Sequence, residues 1–446
     1  MIRNAGKIIV TAFLFLFVST LFPGISLAGD DNISVSEAKK AAVFQITMDS
    51  QLDKESSWHN KKVKLEEPIM TYDTSDSLFS YLFNISVDGN PAGFVEVSAL
   101  KDEYPILSYS YEESDITSSK LTNLKKQNKD KNPVSEKVVV LGPGVFGLKQ
   151  DFPDGSAKIF NTFEFIDLSK EKNILREKPS IINNYSVSNL KENTNLAVDE
   201  IGNSPDKVTD DLSFKTEDVT AGSVFNARNI RENINLAVGE IGNSSDGVTD
   251  DLSFETGDVT SGTVGYCPDL NQLYSSLWTG PAGCSPTSAA NIMLYWADNG
   301  YPELTEDLSN EALVYELRQA MNTYYEDGIG KTFINNISPG MEEFAIDRGL
   351  SDASAEPKEP VTWLKYKHGI SSHGPNIMSF YQQTYYGDHS VTGVGWKAFE
   401  YNGSTVGHRY MRVRDNRSNT PISAYIAFDR NYSVIYYDQF YPEGDN

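Results

Sequence analysis

The stretch Gly-Cys-Ser-Pro-Thr-Ser-Ala-Ala-Asn-Ile-Met-Leu-Tyr-Trp, residues 283–296, puts one of the two cysteines of the chain at the start of an apolar helical segment. Pro286 suits the first turn of a helix, because the N–H that proline lacks would have no partner there. Unpaired N–H groups and the positive end of the helix dipole favour an anion at such a position. The segment therefore predicts a helix with Cys284, a candidate nucleophile, at its exposed end.

Two later segments complete the chain order Cys, His, acid. In Gly-Asp-His-Ser-Val-Thr-Gly-Val-Gly-Trp, residues 387–396, His389 opens an apolar run, and Asp415 follows a short strand pattern. An imidazole beside a thiol stabilises the thiolate and later protonates a leaving amine, and a third group fixes the imidazole through its other ring N–H. These residues predict a catalytic group of Cys284, His389 and Asp415.

The histidine and the third member both have competitors. His389 is preferred among five histidines. His59 lies in the N-terminal domain, His368 and His373 lie before the strand pattern at 375, and His408 lies in another strand pattern without the Gly-x-Gly that follows His389. Asn416 is the alternative third member, since an amide can also orient a histidine.

These motifs resemble the peptidase C39-like domains of exported bacterial proteins, which belong to the papain-like cysteine peptidases. In that family a Cys helix, a His-Ser-Val-Thr strand and an acidic residue on a later strand form the triad. The resemblance covers residues 265–446 and implies an α+β fold in which the helix that carries the cysteine packs on an antiparallel sheet. It also implies hydrolysis of peptide bonds, with a peptide or protein as substrate and no cofactor. No His or Cys cluster in the sequence has the spacing of a zinc site, so we expect no metal.

One position departs from the family pattern. Many relatives have a glutamine about six residues before the cysteine that lines the oxyanion hole, whereas this chain has Trp278 there. Gln272 lies further upstream and is the candidate for that role.

Other interpretations of the same residues stay open. Cys267 and Cys284 are near enough in sequence to form a disulfide, which would remove the nucleophile. Transglutaminase-like and amidase reactions use the same Cys, His, Asp order. An inert surface interaction module with a peptidase-like fold is a further alternative.

The start of the chain has the pattern of a secretory signal peptide. Arg3 and Lys7 precede an apolar run at residues 8–22, and Ser-Leu-Ala at 26–28 is a small-x-small cleavage site. We therefore expect residues 1–28 to be removed and the protein to be secreted, with no membrane association after cleavage. A formal net charge of −24 argues against nucleic acid as a partner.

Residues 29–180 predict a separate α+β domain. Helical spacing at 35–48, with Ser34 or Ser36 as cap, precedes strand-like runs at 78–87, 92–98, 106–111, 137–141 and 157–165, and Asp-Gly-Asn at 88–90 is typical of a hairpin turn. The segments at 93–98 and 104–110 resemble the propeptide of streptopain-type secreted cysteine peptidases. The resemblance implies that this domain keeps the precursor latent; an adhesion or binding module is the alternative.

Residues 181–264 contain an internal repeat. The sequence from 189 to 224 recurs from 229 to 264, a period of 40 residues (229 − 189). Two copies rich in Asp, Asn, Ser and Gly cannot build a stacked solenoid, so we expect a flexible acidic linker.

Residues 265–446 predict helices first and strands afterwards. Helical spacing continues after the Cys helix at 307–322 and 339–348, and strand-like runs follow at 375–382, 390–400, 408–414, 422–428 and 433–437. This order is that of an α+β domain.

Overall fold

The structure, a computed structural model, describes a large part of the chain: residues 32–73, 75–127, 132–142, 144–160, 165–167, 227–238, 257–326, 329–359, 361–383, 387–417, 421–431 and 435–444. The predicted signal peptide, residues 1–28, and the first copy of the repeat, 189–224, lie outside these ranges.

The N-terminal unit begins with one long helix and continues mainly as strands. Its elements are α1 (Val35–Leu52), β1 (Val63–Leu65), β2 (Ile69–Tyr72), β3 (Leu78–Val87), β4 (Asn90–Ser98), β5 (Ile106–Ser110), α2 (Ser118–Gln127), β6 (Ser135–Gly142), β7 (Val145–Asp151), β8 (Ala157–Phe160) and β9 (Phe165–Asp167).

Two local predictions for this unit are confirmed. Ser34 caps α1 in a capping box, in which its hydroxyl accepts the N–H of Glu37 while the Glu37 carboxylate accepts the N–H of Ser34. Asp88 and Gly89 both have positive φ, 53° and 78°, as the tight turn between β3 and β4 requires.

The chain then forms α3 (Ala227–Val238) and β10 (Gly257–Thr263) before the C-terminal unit. Most helices of that unit precede its long strands, as its sequence predicts, but three short strands lie among the helices and a four-residue helix lies among the later strands. Its elements are α4 (Cys284–Asp298), α5 (Asn310–Ala320), β11 (Tyr324–Glu326), β12 (Ile329–Lys331), α6 (Ile337–Asp347), β13 (Ser354–Pro357), α7 (Trp363–His373), β14 (Asn376–Gln383), β15 (Gly387–Tyr401), β16 (Arg409–Arg414), β17 (Ala424–Ala427), α8 (Phe428–Asn431) and β18 (Ile435–Tyr441).

A mostly antiparallel sheet runs through both units, so the fold is mixed α+β. Its strand order is β13-β18-β14-β15-β16-β17-β5-β4-β3-β2-β6-β7-β8-β9, and the pairing of β2 with β6 is parallel. The two units meet where β17 pairs with β5, with Tyr425 opposite Tyr109. The N-terminal unit therefore extends the sheet of the C-terminal unit through main-chain hydrogen bonds.

The prediction of a flexible linker over 181–264 is wrong for α3 and β10. Ile230, Ile234 and Val238 are spaced four residues apart on α3 and are buried in a core that α1 also lines. β10 pairs with β15, so the sheet includes residues that the sequence analysis placed before the domain boundary at 265. The prediction for α3 was wrong because it followed the acidic composition of the segment and not its short amphipathic pattern. For β10, no local sequence signal indicates that a partner strand is available.

The hydrophobic core also crosses from one unit to the other. Phe399, Tyr410 and Tyr425 of the C-terminal unit belong to the same buried cluster as Phe44 and Tyr109 of the N-terminal unit. The rings of Tyr109 and Tyr425 stack with centroids 4.8 Å apart. Separating the units would therefore expose large aromatic side chains to water.

The Cys helix lies on the sheet as predicted. Ala290 and Met293 of α4 are fully buried in a second core, which they share with α5, α6 and Ile377 of β14. Helix α7 supplies Tyr366 and Ile370 to a third core, with Val391 of β15. Among the helices that the structure describes, none combines the length and the apolar character that a membrane span needs.

Candidate active site

Cys284 is the first residue of α4 and its side chain is partly exposed. The preceding Gly283 has φ +98°, and a Cβ at this position would lie 2.8 Å from the carbonyl oxygen of Gly330, so the site requires glycine. Gly330 also donates its N–H to the carbonyl of Pro281 at 3.2 Å, and Arg318 donates to the carbonyl of Ala282. The loop before the thiol is thus held by two neighbouring elements.

Both cysteines are free, so the disulfide that the sequence allowed does not form in this structure. Cys267 is 1% exposed, and its sulfur lies 3.8 Å from the carbonyl oxygen of Asn291. Burial raises the pKa of Cys267 to about 12, which keeps this thiol protonated. Of the two cysteines, only Cys284 combines partial exposure with a place at the start of a helix.

His389 lies near the start of β15 and is 5% exposed. Its Nε2 is 2.8 Å from the main-chain carbonyl oxygen of Asp415. Because a carbonyl oxygen can only accept, Nε2 carries the proton of this bond and Nδ1 of the neutral ring is the basic nitrogen. Burial, aided by the nearby charge of Arg417, lowers the pKa of His389 to about 3, although the bond to Asp415 opposes both effects.

Asp415 reaches the histidine through its main chain. It follows directly after β16, whose Arg414 pairs with Thr392 of β15, so the chain leaves the strand beside His389. The Asp415 carboxylate oxygen Oδ1 accepts the N–H of Arg417 at 3.1 Å. The sequence predicted that the Asp415 carboxylate accepts the His389 ring N–H. In the structure the main-chain carbonyl of Asp415 accepts it instead, and the carboxylate accepts the N–H of Arg417 within the turn at 415–417.

The segments that carry Cys284 and His389 meet through buried polar side chains. The hydroxyl oxygens of Ser285 and Ser390, the residues that follow them, are 2.9 Å apart. Asn416 donates to the carbonyl oxygen of Cys284 at 3.3 Å and to that of Ser390 at 2.9 Å. The structure thus brings Cys284, His389, Asp415 and Asn416 to one place.

We call this set of buried neutral side chains the polar seam. It consists of Ser285, Ser288 and Asn291 on α4, Ser390 and Thr392 on β15, and Asn416. Apart from Asn416, its members were missed in the sequence analysis. The signal was present on α4, where Ser285, Ser288 and Asn291 repeat at intervals of three and so lie on one side of the helix.

Gln272, the candidate oxyanion donor, contacts this seam through its main chain. Gln272 is partly buried, and its main-chain N–H donates to the carbonyl oxygen of Asn416 at 3.0 Å. Trp278 donates its indole N–H to the carbonyl oxygen of Leu273 at 3.2 Å. That bond occupies the only polar hydrogen of the Trp278 side chain, which leaves Gln272 as the candidate.

The N-terminal unit borders the segment that follows Asp415. Arg417 donates to the carbonyl oxygen of Leu141 at 2.6 Å, and Ile422 donates its N–H to the Glu112 carboxylate at 3.0 Å. Burial raises the pKa of Asp115 in the N-terminal unit to about 8; the N–H of Phe146 opposes this shift, and the charge of Asp415 adds to it.

The other four histidines lie on other elements. The His59 ring is 2.9 Å from the carbonyl oxygen of Ser50 in the N-terminal unit, and the rings of His368 and His373 contact each other on α7. His408 packs on Phe44, with centroids 5.6 Å apart, and burial lowers its pKa to about 4.

No protein-family model matches the chain, and no curated protein matches it in sequence. Among solved structures, the chain is similar to a fragment of prointerpain A from Prevotella intermedia, solved as a cysteine-to-alanine mutant. The TM-score is 0.38 and the identity 11%, over 86% of this chain and 100% of that one. A similarity of this size does not establish a shared fold or activity.

Proposed function

We propose that the chain is a secreted, papain-like cysteine peptidase that hydrolyses peptide bonds with Cys284 as nucleophile and His389 as base. The observation that carries this proposal is the arrangement of the two residues. Cys284 lies at the N-terminus of α4, His389 lies on β15, and the polar seam joins the two elements. The bond from His389 to the carbonyl of Asp415 leaves Nδ1 as the atom that can accept a proton.

The reaction that this arrangement supports has two stages. The His389 Nδ1 takes the proton of the Cys284 thiol as the sulfur attacks the carbonyl carbon of the substrate, and the imidazolium then protonates the amine as the C–N bond breaks. Water next attacks the thioester, with His389 again accepting a proton, and the acid product leaves. The main-chain N–H of Cys284 and the amide of Gln272 are the proposed donors to the oxyanion, each contributing about 3 kcal/mol.

Asp415 has a defined part in this proposal. Its carbonyl oxygen holds the His389 proton on Nε2 and so selects the tautomer in which Nδ1 is basic. The side-chain carboxylate is not needed for that task.

The N-terminal unit is the proposed inhibitor within the same chain. Two features support latency: it contacts the segment after Asp415 through Leu141 and Glu112, and His389 in this arrangement stays neutral because its pKa is about 3. A neutral imidazole cannot stabilise the thiolate of Cys284 by its charge.

The test uses the full secreted chain, because its two units share a core. A recognition site for a specific protease is inserted in the predicted linker between residues 190 and 224, and hydrolysis of a fluorogenic peptide library is measured before and after the cut. We expect activity that rises after the cut and after displacement of the N-terminal unit by mild urea. Cys284→Ala should abolish it, and Cys267→Ser is the matched control that should retain it. Absence of hydrolysis under every condition contradicts the proposal.

The second candidate function is an inert interaction module with a peptidase-like fold. It is favoured by the buried, neutral His389 and by Trp278 at the position where many peptidases of this type have glutamine. A thiol-directed peptidase inhibitor that fails to label Cys284, even in the cut protein, would decide for this alternative.

A further inference from the structure

The side chain of Asn416 is fully buried and bonded on both of its polar atoms. Its Nδ2 donates to the Ser288 hydroxyl at 2.6 Å, to the Ser390 carbonyl at 2.9 Å and to the Cys284 carbonyl at 3.3 Å. Its Oδ1 accepts from Asn291 Nδ2 at 3.1 Å. Because Nδ2 has two hydrogens and three acceptors, at least one hydrogen is shared between two acceptors. Both hydrogens are therefore bonded to protein atoms.

These partners lie on the two elements that carry the proposed catalytic residues. Cys284, Ser288 and Asn291 belong to α4, and Ser390 is the residue after His389 on β15. One side chain therefore links the carbonyl of the nucleophile itself to the main chain beside the base. Two other contacts of the polar seam join the same two elements without touching Cys284. They are the hydroxyl pair of Ser285 and Ser390, and the Thr392 hydroxyl, which accepts from Asn291 and donates to the Ser288 carbonyl.

The main chain of Asn416 has a constraint of its own. Its φ is +63°, in the left-handed region that asparagine tolerates better than most residues. This conformation turns the chain directly after Asp415, whose carbonyl oxygen accepts the His389 ring proton. The carbonyl of Asn416 in turn accepts the N–H of Gln272.

We propose that Asn416 is a positioning residue, whose amide sets the spacing and orientation between the Cys284 thiol and the His389 imidazole by tying α4 to β15 through the carbonyl of Cys284 and that of Ser390, the residue after His389. The inference rests on the proposed function. It assigns Asn416 a part different from that of third catalytic member, because its amide oxygen is bonded to Asn291 and the ring proton at Nε2 goes to Asp415.

The substitution that isolates the amide is Asn416→Gly. Glycine adopts positive φ without strain, so the turn after Asp415 is kept while all four side-chain bonds are lost. Asn84→Ala is the matched control. Asn84 is a buried amide in the N-terminal unit that donates to the Ile116 carbonyl and accepts from the Ser114 hydroxyl, far along the chain from the site. Both variants lose a buried, bonded amide, so both lower the melting temperature.

The measurement is the rate of alkylation of Cys284 by iodoacetamide as a function of pH, with the modified residue located by mass, in the full chain cut at the inserted linker site. Wild type, His389→Ala, Asn416→Gly and Asn84→Ala are compared. We expect Asn416→Gly to lose about 100-fold in rate near neutral pH, as a misplaced reacting group does, and its pH profile to move to that of His389→Ala. Asn84→Ala should keep the wild-type profile.

The outcomes separate this inference from the proposed function. If wild type and His389→Ala have the same profile, the cysteine and histidine do not act together and the proposed function fails. If they differ but Asn416→Gly keeps the wild-type profile, the positioning role is overturned. Should Asn416→Gly not fold, Ser288→Ala removes the shortest bond of the amide and leaves the turn intact. It should shift the profile in the same direction by a smaller amount, and an unchanged profile would overturn the role.

Discussion

Strand β15 carries two buried polar regions that are built differently. Around Ser390 it joins the polar seam, whose members are neutral hydroxyls and amides. Further along, Lys397 enters a charged group that we call the interface cluster: Asp49, Asp53 and Tyr111 of the N-terminal unit with Lys397 of the C-terminal unit. The first region joins the helix and strand of the candidate site, and the second joins the two units of the chain.

The two regions respond differently to the loss of a partner. A neutral seam loses roughly 1 kcal/mol for each hydrogen bond removed, or somewhat more when a buried group is left without a partner. In the interface cluster, Lys397 Nζ lies 2.5 Å from Asp53 Oδ2 and 3.7 Å from Asp49 Oδ2, and all three side chains are nearly or fully buried. Removing one charge there leaves the others in a low dielectric, which costs far more.

The two regions also differ in whether they contain groups that titrate. Burial raises the pKa of Asp49, and Lys397 opposes that shift. For Lys397, burial acts to lower the pKa, but Asp49, Tyr425 and Asp53 together keep it raised. The side chains of the polar seam carry no titratable charge, so of these two groups it is the interface cluster that responds to pH.

The largest expected effect is that of Lys397→Met. It leaves Asp49 and Asp53 buried without their cation, and we expect a loss of about 3–5 kcal/mol in the free energy of unfolding. Urea denaturation near neutral pH measures it. Lys367→Met is the control, since Lys367 lies 4.5 Å over the Trp396 ring and its loss should cost roughly 0.5–1 kcal/mol. Equal losses for the two variants would show that the interface cluster is not a buried, coupled group.

The next prediction concerns pH and Asp115. Its pKa in the folded protein is about 8, against 3.8 for the ordinary group, so the folded chain keeps a proton that the unfolded chain has released. Stability from this group is therefore full at low pH and falls as pH rises from about 4 to about 8. Asp115→Asn removes that dependence, and its free energy of unfolding relative to wild type should rise with pH by up to about 1.4 kcal/mol per pH unit.

The control for Asp115 is a carboxylate with the opposite shift. Hydrogen bonds from Ser156 lower the pKa of the exposed Asp154. Asp154→Asn should therefore lose stability relative to wild type, not gain it, as pH rises through the acid range. The pKa values of His389 and His408 are lowered to about 3 and about 4. Their contributions to the stability of the folded protein are therefore lost as pH falls below about 6.5. Comparing each variant with wild type at the same pH removes their contribution.

The smallest expected effect is that of Asp415→Asn on peptidase activity. The His389 ring bonds to the main-chain carbonyl, which the substitution keeps, so kcat/KM should fall by less than about tenfold. A carboxylate that orients the imidazole would give a loss of about 10⁴-fold. Activity of the cut protein at several pH values measures the difference. A loss near the larger figure would restore the carboxylate to the role that the sequence suggested.

Local sequence signals predicted the helix and the strand of the candidate site well, and also the cap of α1. The apolar helix after Cys284, the strand that carries His389 and the cap at Ser34 each follow from residues within a few positions of one another. The features that the sequence did not predict depend on contacts between residues far apart in the chain. The pairing of β5 with β17, the partner of β10, and the Lys397 cluster join residues more than a hundred positions apart, and composition alone made 181–264 look unstructured.

The prediction that the Asp415 carboxylate contacts His389 was wrong for a more local reason. An acid at that place in the chain order suggests a carboxylate bond to histidine. The left-handed turn at Asn416, however, presents the carbonyl of Asp415 to His389 and leaves its carboxylate to Arg417. No pattern of residue types distinguishes these two arrangements, since both need the same Asp at the same position.

The central claim is that Cys284 and His389 act as a nucleophile and its base, and one labelling experiment tests it most directly. The full chain, cut in the linker, is treated with a thiol-directed peptidase inhibitor, and the modified cysteine is located by mass. We predict that Cys284 is labelled while Cys267, buried and with a pKa of about 12, is not, and that His389→Ala slows the labelling at least about 100-fold. Equal, slow labelling of both cysteines, or a rate that His389→Ala leaves unchanged, would contradict the account.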